Sequence, residues 1–245
     1  MSEQDPGPVR VLRADWVVTV DASDTVLADG AVAVQGGRIG AVGPAKDVLA
    51  DHPGAEVAHL RGHVLMPGLV NAHTHLGMTM FRGVADDLSL DAFLARLLPA
   101  EGAVLSAERV RIATLAGAVE SLLAGVTTAL DMYYFVDEAL AAASAAGLRL
   151  LGGPVFLDAT GSGAEPVGRS LEAAQRWLQR HPARPGWRPV LNPHATYTVT
   201  PHHLEEIRDL AERHDAVVHL HAAETEAEVA SVKGAHGRRP VEHLD

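Results

Sequence analysis

The chain has no cysteine, which excludes disulfides and thiolate metal sites. Its only lysines are Lys46 and Lys233, and neither lies in a strand-like segment. A two-metal centre bridged by a modified lysine therefore cannot be built from these residues, and a single metal is the economical expectation. No apolar run approaches the ~20 residues of a membrane helix, and the opening Met1-Ser2-Glu3-Gln4-Asp5-Pro6 lacks the apolar core of a signal peptide. A glycine-rich phosphate loop and a Gly-x-Ser-x-Gly nucleophile turn are both missing. The formal net charge of -11 argues against nucleic acid or an anionic membrane as partner. These exclusions leave a soluble, cytoplasmic protein as the expectation.

What is present is a 245-residue chain, 47% hydrophobic, with 14 histidines. That length suits one large domain or a domain and a half, and the apolar fraction can fill a sizeable core. Two styles of sequence meet near residue 60. Before it, segments 9–20, 31–42 and 56–60 read as strands, with Gly36-Gly37 as a hairpin turn. After it, strands and helices alternate as in βα units around a parallel sheet. The strands are expected at 64–71, 127–133, 148–156, 189–197 and 216–221. Helices are expected at 90–98, 107–124, 137–146, 171–179, from Thr200-Pro201 onward, and at 224–233. Ser106 and Thr200 are suited to cap helices, and Gly125 and Gly147 to stop them.

Five βα units fall short of the eight strands and ~250 residues of a closed barrel. The closing run 241–245 offers no cap or turn, so the chain is expected to stop short of a full barrel. A complete open five-stranded sheet stays open on counting alone.

The strongest chemical signal is Pro67-Gly68-Leu69-Val70-Asn71-Ala72-His73-Thr74-His75. Residues two apart in a strand point the same way, so His73 and His75 project together from its C-terminal end. Barrel active sites sit at that end, and two imidazoles there suit Zn²⁺ or Fe²⁺. A second pair, His219 and His221, ends the fifth strand. His221 is the better third ligand because it lies at the tip, whereas His219 lies deeper and reads as a hydrogen-bonded interior histidine. Glu224, three residues on, can reach a water beside the metal and serve as proton shuttle, although a glutamate at a helix start is also favoured by the macrodipole. His194, in Asn192-Pro193-His194, faces the same rim as a substrate contact or a supporting residue. Asp131 reads more readily as a loop cap than as a substrate contact. No role is assigned to His202, His203, His236 or His243.

At these residues the sequence resembles the amidohydrolase superfamily. More narrowly it is similar to the branch holding S-adenosylhomocysteine and 5′-methylthioadenosine deaminases and triazine chlorohydrolases. The resemblance is carried by 67–75, by 77–87 (Gly-Met-Thr-Met-Phe-Arg-Gly-Val-Ala-Asp-Asp), by 125–133 (Gly-Val-Thr-Thr-Ala-Leu-Asp-Met-Tyr) and by His221-Ala222-Ala223-Glu224. It implies an α/β fold, a (β/α)8 TIM-type barrel with about five units present over 63–245, and the N-terminal part of a small β-sandwich over 1–62. It implies that His73, His75 and His221 bind one divalent metal, most often Zn²⁺, with Fe²⁺ as the alternative. It makes Glu224 the proton shuttle, Glu101 a ribose contact, His194 a substrate contact, and Arg169 a candidate partner for the carboxylate of a larger substrate. A companion arginine expected near Pro154 is missing. A further histidine and an aspartate of the family pattern would lie beyond Asp245. The implied activity is hydrolytic deamination of a purine or adenosine-type amino-heterocycle through metal-activated water. Triazine dechlorination, guanine-type deamination and an inactive, truncated protein on the same fold are the alternatives, and this chain by itself is expected to be inactive. The expected partner is that small-molecule substrate, and homo-oligomer formation stays open.

Overall fold

The computed structural model describes residues 7–158 and 171–245. They divide into two compact units, Met1–Gly68 and Leu69–Asp245.

In the first unit, strands β1 (Arg10–Val18), β2 (Val26–Gln35) and β3 (Arg38–Pro44) are followed by helix α1 (Ala45–Asp51) and strand β4 (Glu56–Leu65). The sheet order is β3-β2-β1-β4, with β1 antiparallel to β2 and parallel to β4. Gly36 and Gly37 take φ of 56° and 74°, the left-handed pair that a tight hairpin between β2 and β3 requires. Helix α1 is not anticipated by the sequence reading. It is short and its N-cap, Pro44, offers no side-chain bond. Burial of Ala45 and Val48 with Val11, Ala31 and Ala33 holds it instead.

The strand expected at 64–71 does not exist as one element. Val64 and Leu65 pair with Trp16 and Val17 at the end of β4. Pro67-Gly68 then breaks the run, since proline lacks a ladder donor, and a new strand starts at Leu69.

The second unit opens with β5 (Leu69–Thr74), a 3-10 turn (Leu76–Phe81), α2 (Leu90–Val104), α3 (Ala107–Leu123) and β6 (Val126–Asp131). It continues with α4 (Val136–Ala146), β7 (Arg149–Leu151), β8 (Val155–Phe156), α5 (Leu171–Arg180) and β9 (Val190–Pro193). It closes with α6 (Pro201–Arg213), β10 (Val217–Val218), α7 (Glu226–His236) and α8 (Pro240–Leu244). The strands pair in parallel as β5-β6-β7 and β8-β9-β10. Parallel strands joined by helices make the unit α/β.

The segment 148–156, expected as one strand, forms two, β7 and β8. Gly152-Gly153-Pro154 interrupts it, yet the segment keeps contact with β9: Val190 N donates to Gly152 O at 3.3 Å and Asn192 N to Pro154 O at 2.9 Å. Gly153 is required here because a Cβ would lie 1.6 Å from Val190 O. The strands expected at 189–197 and 216–221 shrink to β9 and β10, and the rest of each segment forms the loops that carry the site. Helix α2 runs past Leu98, through Pro99, to Val104. Pro99 forfeits one hydrogen bond, while buried Leu97 and Glu101 hold the last turns in place. The closing run, read as lacking a cap, is the short helix α8, whose Pro240 is its first residue. Both expected caps form: Ser106 Oγ accepts from Arg109 N and Thr200 Oγ1 from His203 N, each at 3.3 Å.

Among the described residues, two of the three apolar clusters of this unit pack against its sheets. Phe156, Trp177, Leu178, Leu191, Ile207 and Leu210 are essentially fully buried between β8–β9 and α5–α6, each worth ~1.5–3 kcal/mol on burial. Under β5–β7 the core is built from small side chains, Ala118, Ala129, Ala139 and Ala143, with Leu148 and Leu150. Alanines let α3 and α4 lie close to the sheet. Among the described residues, no helix is long and apolar enough to cross a membrane.

Candidate metal centre and adjoining cavity

The C-terminal ends of the strands gather the histidines singled out above. His73 is in β5 and His75 starts the turn that follows it. His221 lies three residues past β10, bridged in parallel to Ala195 with its N–H donating to His194 O at 2.9 Å. One ligand atom from each of His73, His75 and His221 lies within 4.8 Å of the others. His73 Nε2 and His75 Nε2 are 3.1 Å apart. Tetrahedral zinc with Zn–N of ~2.0–2.1 Å sets its ligands about 3.3 Å apart, so this pair already has the spacing of two ligands.

The protonation of the rings suits a cation. His75 Nδ1 donates to the Met132 carbonyl at 2.6 Å, which leaves the Nε2 lone pair facing His73. Burial lowers His75 to about 4, aided by the neighbouring His221 and His73 and opposed by the Met132 bond. Burial and His73 lower His221 to about 4, against the field of Glu228. His73 is lowered as well, by burial, with Glu224 opposing. Three neutral imidazoles at pH 7, with His73 edge-on to both others and centroids 4.7 to 5.2 Å apart, are a donor set for a borderline divalent cation such as zinc.

Glu224 sits beside this cluster. Its Oε1 is 3.6 Å from His221 Nδ1, and its Oε2 accepts from Tyr197 OH at 2.9 Å. The loop that presents it is tightly held. Ala223 adopts a left-handed φ of 59°, and Glu224 N donates to Glu228 Oε2 at 2.8 Å. Thr196 Oγ1 donates to the other oxygen of Glu228 at 2.6 Å.

A cavity opens from His75, His221 and Glu224 towards α2. Phe93, Leu94 and Leu97 form its apolar wall, and His194, Glu101 and Tyr133 supply polar groups. Glu101 is 3% exposed and accepts from Tyr133 OH at 2.6 Å. Burial raises its pKa, partly offset by that bond. His194 lies 5.0 Å from His221 between ring centroids and is lowered to about 4 by burial and the adjacent His221 and His75. An apolar slot with a few convergent polar groups and shifted ionisations is the usual form of a small-molecule site.

The structure thus brings His73, His75, His221, Glu224, His194 and Glu101 to one rim. Asp131 is not part of it: its Oδ1 accepts from Leu76 N at 2.7 Å and anchors the turn after β5, as a loop cap does. Burial raises Asp131 to about 7, against that bond. Arg169 lies outside the described residues. Tyr133, Tyr197 and Glu228 escaped the sequence reading. Only Glu228 had a signal, the Thr225-x-x-Glu228 pattern of a capped helix start, whose Thr225 Oγ1 accepts from Glu228 N at 3.1 Å.

The chain belongs to the amidohydrolase family, which matches residues 64–245. Residues 30–55 also match the bacterial imidazolonepropionase-like composite domain. A 5-methylthioadenosine/S-adenosylhomocysteine deaminase of Nitratidesulfovibrio vulgaris (strain DP4) is 42% identical over 238 residues, which are 96% of this chain and 53% of that protein. The chain spans about half the length of the curated relatives it matches. Among solved structures, an adenosine deaminase from Xanthomonas campestris with bound zinc superposes with a TM-score of 0.82 at 36% identity, covering 98% of this chain and 55% of that one. The zinc complex of atrazine chlorohydrolase from Arthrobacter aurescens TC1 gives a TM-score of 0.82 at 21% identity, covering 96% and 57%, and shares the fold.

Proposed function

We propose that this chain carries the metal-binding half of a hydrolytic deaminase acting on an adenosine-type amino-heterocycle. The observation that carries the proposal is the convergence of His73, His75 and His221 within 4.8 Å, with Glu224 beside them at the mouth of an apolar cavity. The 42% identity to a deaminase of adenosine-type substrates supports the choice of substrate class.

His73, His75 and His221 would hold one divalent ion, zinc for preference and Fe²⁺ as the alternative. When bound, such an ion lowers the pKa of water from 15.7 towards ~7 and so makes a nucleophile available at neutral pH. Glu224, held by Tyr197, takes one proton of the attacking water and gives it to the ring nitrogen; the second proton of that water then passes to the amino group, which departs as ammonia. Phe93, Leu94 and Leu97 cover the flat faces of the heterocycle and exclude water. His194 contacts its edge, and Glu101, oriented by Tyr133, takes a hydroxyl of the sugar. The same reading makes residues 1–62 the N-terminal part of a β-sandwich and 63–245 the first five βα units of a (β/α)8 barrel, at work in the cytoplasm.

The test is a panel of 5′-methylthioadenosine, S-adenosylhomocysteine, adenosine, guanine and a chlorotriazine, given to the zinc-loaded enzyme of which this chain is the metal-binding half, with ammonia and chloride assayed separately. Ammonia from the adenosine-type compounds is expected. Chloride from the triazine alone, ammonia from guanine alone, or no turnover at all would overturn the assignment.

A further inference from the structure

His219 stands outside the ligand set, yet a continuous line of hydrogen bonds runs from the backbone through it to His73. The line starts at the Gly153 carbonyl, a group that can only accept. Asn192, fully buried, donates to it from Nδ2 at 2.9 Å. The flipped amide would set two oxygens against each other, so the orientation is fixed. Asn192 Oδ1 therefore faces His219 Nδ1, 2.9 Å away, and that nitrogen must carry the ring proton. A neutral imidazole has one N–H. His219 Nε2 is then an acceptor, and His73 Nδ1, at 2.7 Å, donates to it.

We infer that Asn192 and His219 are positioning residues that hold the proton of His73 on Nδ1 and so keep its Nε2 free for a divalent ion. This rests on the three-histidine metal site proposed above. Met132 does the same for His75 through its carbonyl, so two bare Nε2 lone pairs are held 3.1 Å apart. That arrangement is repulsive unless a cation lies between them. Ligating histidines are commonly steered by a carboxylate, a carbonyl or a water. Here the steering group is a second histidine, and its own tautomer is set by a buried amide on β9. The relay also links β5 to β9 and the segment after β10, with neither of which β5 shares a ladder, so metal affinity becomes sensitive to the packing at Gly153.

Two measurements test the relay. In the metal-free, unsubstituted chain, long-range ¹H–¹⁵N NMR should find the His73 proton on Nδ1; a proton on Nε2 overturns the inference. In chelator competition, His219→Leu, which removes the acceptor, should weaken zinc binding by ~10–100-fold. His219→Gln, whose amide oxygen can accept from His73 Nδ1, should recover most of that loss. Circular dichroism of each variant verifies folding, and if His219→Leu does not fold the NMR result decides alone. Equal zinc affinity in a folded His219→Leu overturns the relay while leaving the metal site intact. Failure of the unsubstituted chain to take up zinc removes the metal site, and the His73 tautomer still decides the relay.

Discussion

Gly153→Ala should be among the most damaging single-methyl changes available to this chain. The added Cβ would lie 1.6 Å from Val190 O and 2.6 Å from Val190 C, both backbone atoms that no rotamer can move aside. An ordinary carbon–oxygen contact is ~3.3 Å, so the Gly152–Pro154 segment and β9 must part by about 1.7 Å. Three hydrogen bonds cross this junction: Val190 N to Gly152 O at 3.3 Å, Asn192 N to Pro154 O at 2.9 Å, and Asn192 Nδ2 to Gly153 O at 2.9 Å. Separation of that size breaks all three, at ~1 kcal/mol each. The fully buried Asn192 is then left short of partners, adding ~1–3 kcal/mol. The expected loss of ~4–6 kcal/mol is a large part of the ~5–15 kcal/mol that stabilises an ordinary domain. Urea denaturation followed by circular dichroism and tryptophan fluorescence measures it. Gly234→Ala is the control, because a Cβ there meets nothing within 4 Å in the helix α7. It should be neutral or gain ~0.5–1 kcal/mol. A Gly153→Ala protein within ~1 kcal/mol of the parent would refute the close approach of these strands and the support it gives to Asn192.

The pH dependence of the metal-free chain has a definite sign. His75, His194, His219 and His221 sit at about 4 in the fold against ~6.5 when unfolded, so between those values the unfolded chain binds more protons. Their contribution is present above pH 6.5 and lost as pH falls towards 4, and the melting temperature should drop across that window. Asp131, raised to about 7, acts oppositely, favouring the fold below 7, so Asp131→Asn should steepen the drop; an unchanged slope would contradict its buried state. In the proposed deaminase, Glu224→Gln should lower deamination by at least the ~10²-fold of a lost acid–base group while zinc affinity stays unchanged; full turnover would remove the proton-shuttle role.

Periodicity and punctuation carried much of this architecture. The βα alternation after residue 60, the caps Ser106 and Thr200 and the stop at Gly147 depend on local chemistry, and they appear where local chemistry puts them. His73 and His75 were readable because a strand ending in His-x-His after Pro-Gly aims both rings at one point. The relay through Asn192 was not readable. It depends on contacts 27 and 146 residues apart in sequence, and no spacing rule reports them. His219 forms the hydrogen bonds expected of it while only half-buried, and its partner, a ring at the site itself, gives that bond a consequence. The splitting of 148–156 and the survival of α2 through Pro99 were missed for a related reason. In both, tertiary packing at Gly153 and at Leu97 and Glu101 outweighs the local preference.

X-ray absorption of the zinc-titrated chain, set beside His73→Ala, His75→Ala and His221→Ala, bears most directly on the metal site. One ion per chain should bind, with three imidazole nitrogens at ~2.0–2.1 Å, and each substitution should remove an imidazole and most of the affinity. Zinc held with an unchanged shell in His221→Ala, or bound through other residues, would contradict the three-histidine centre.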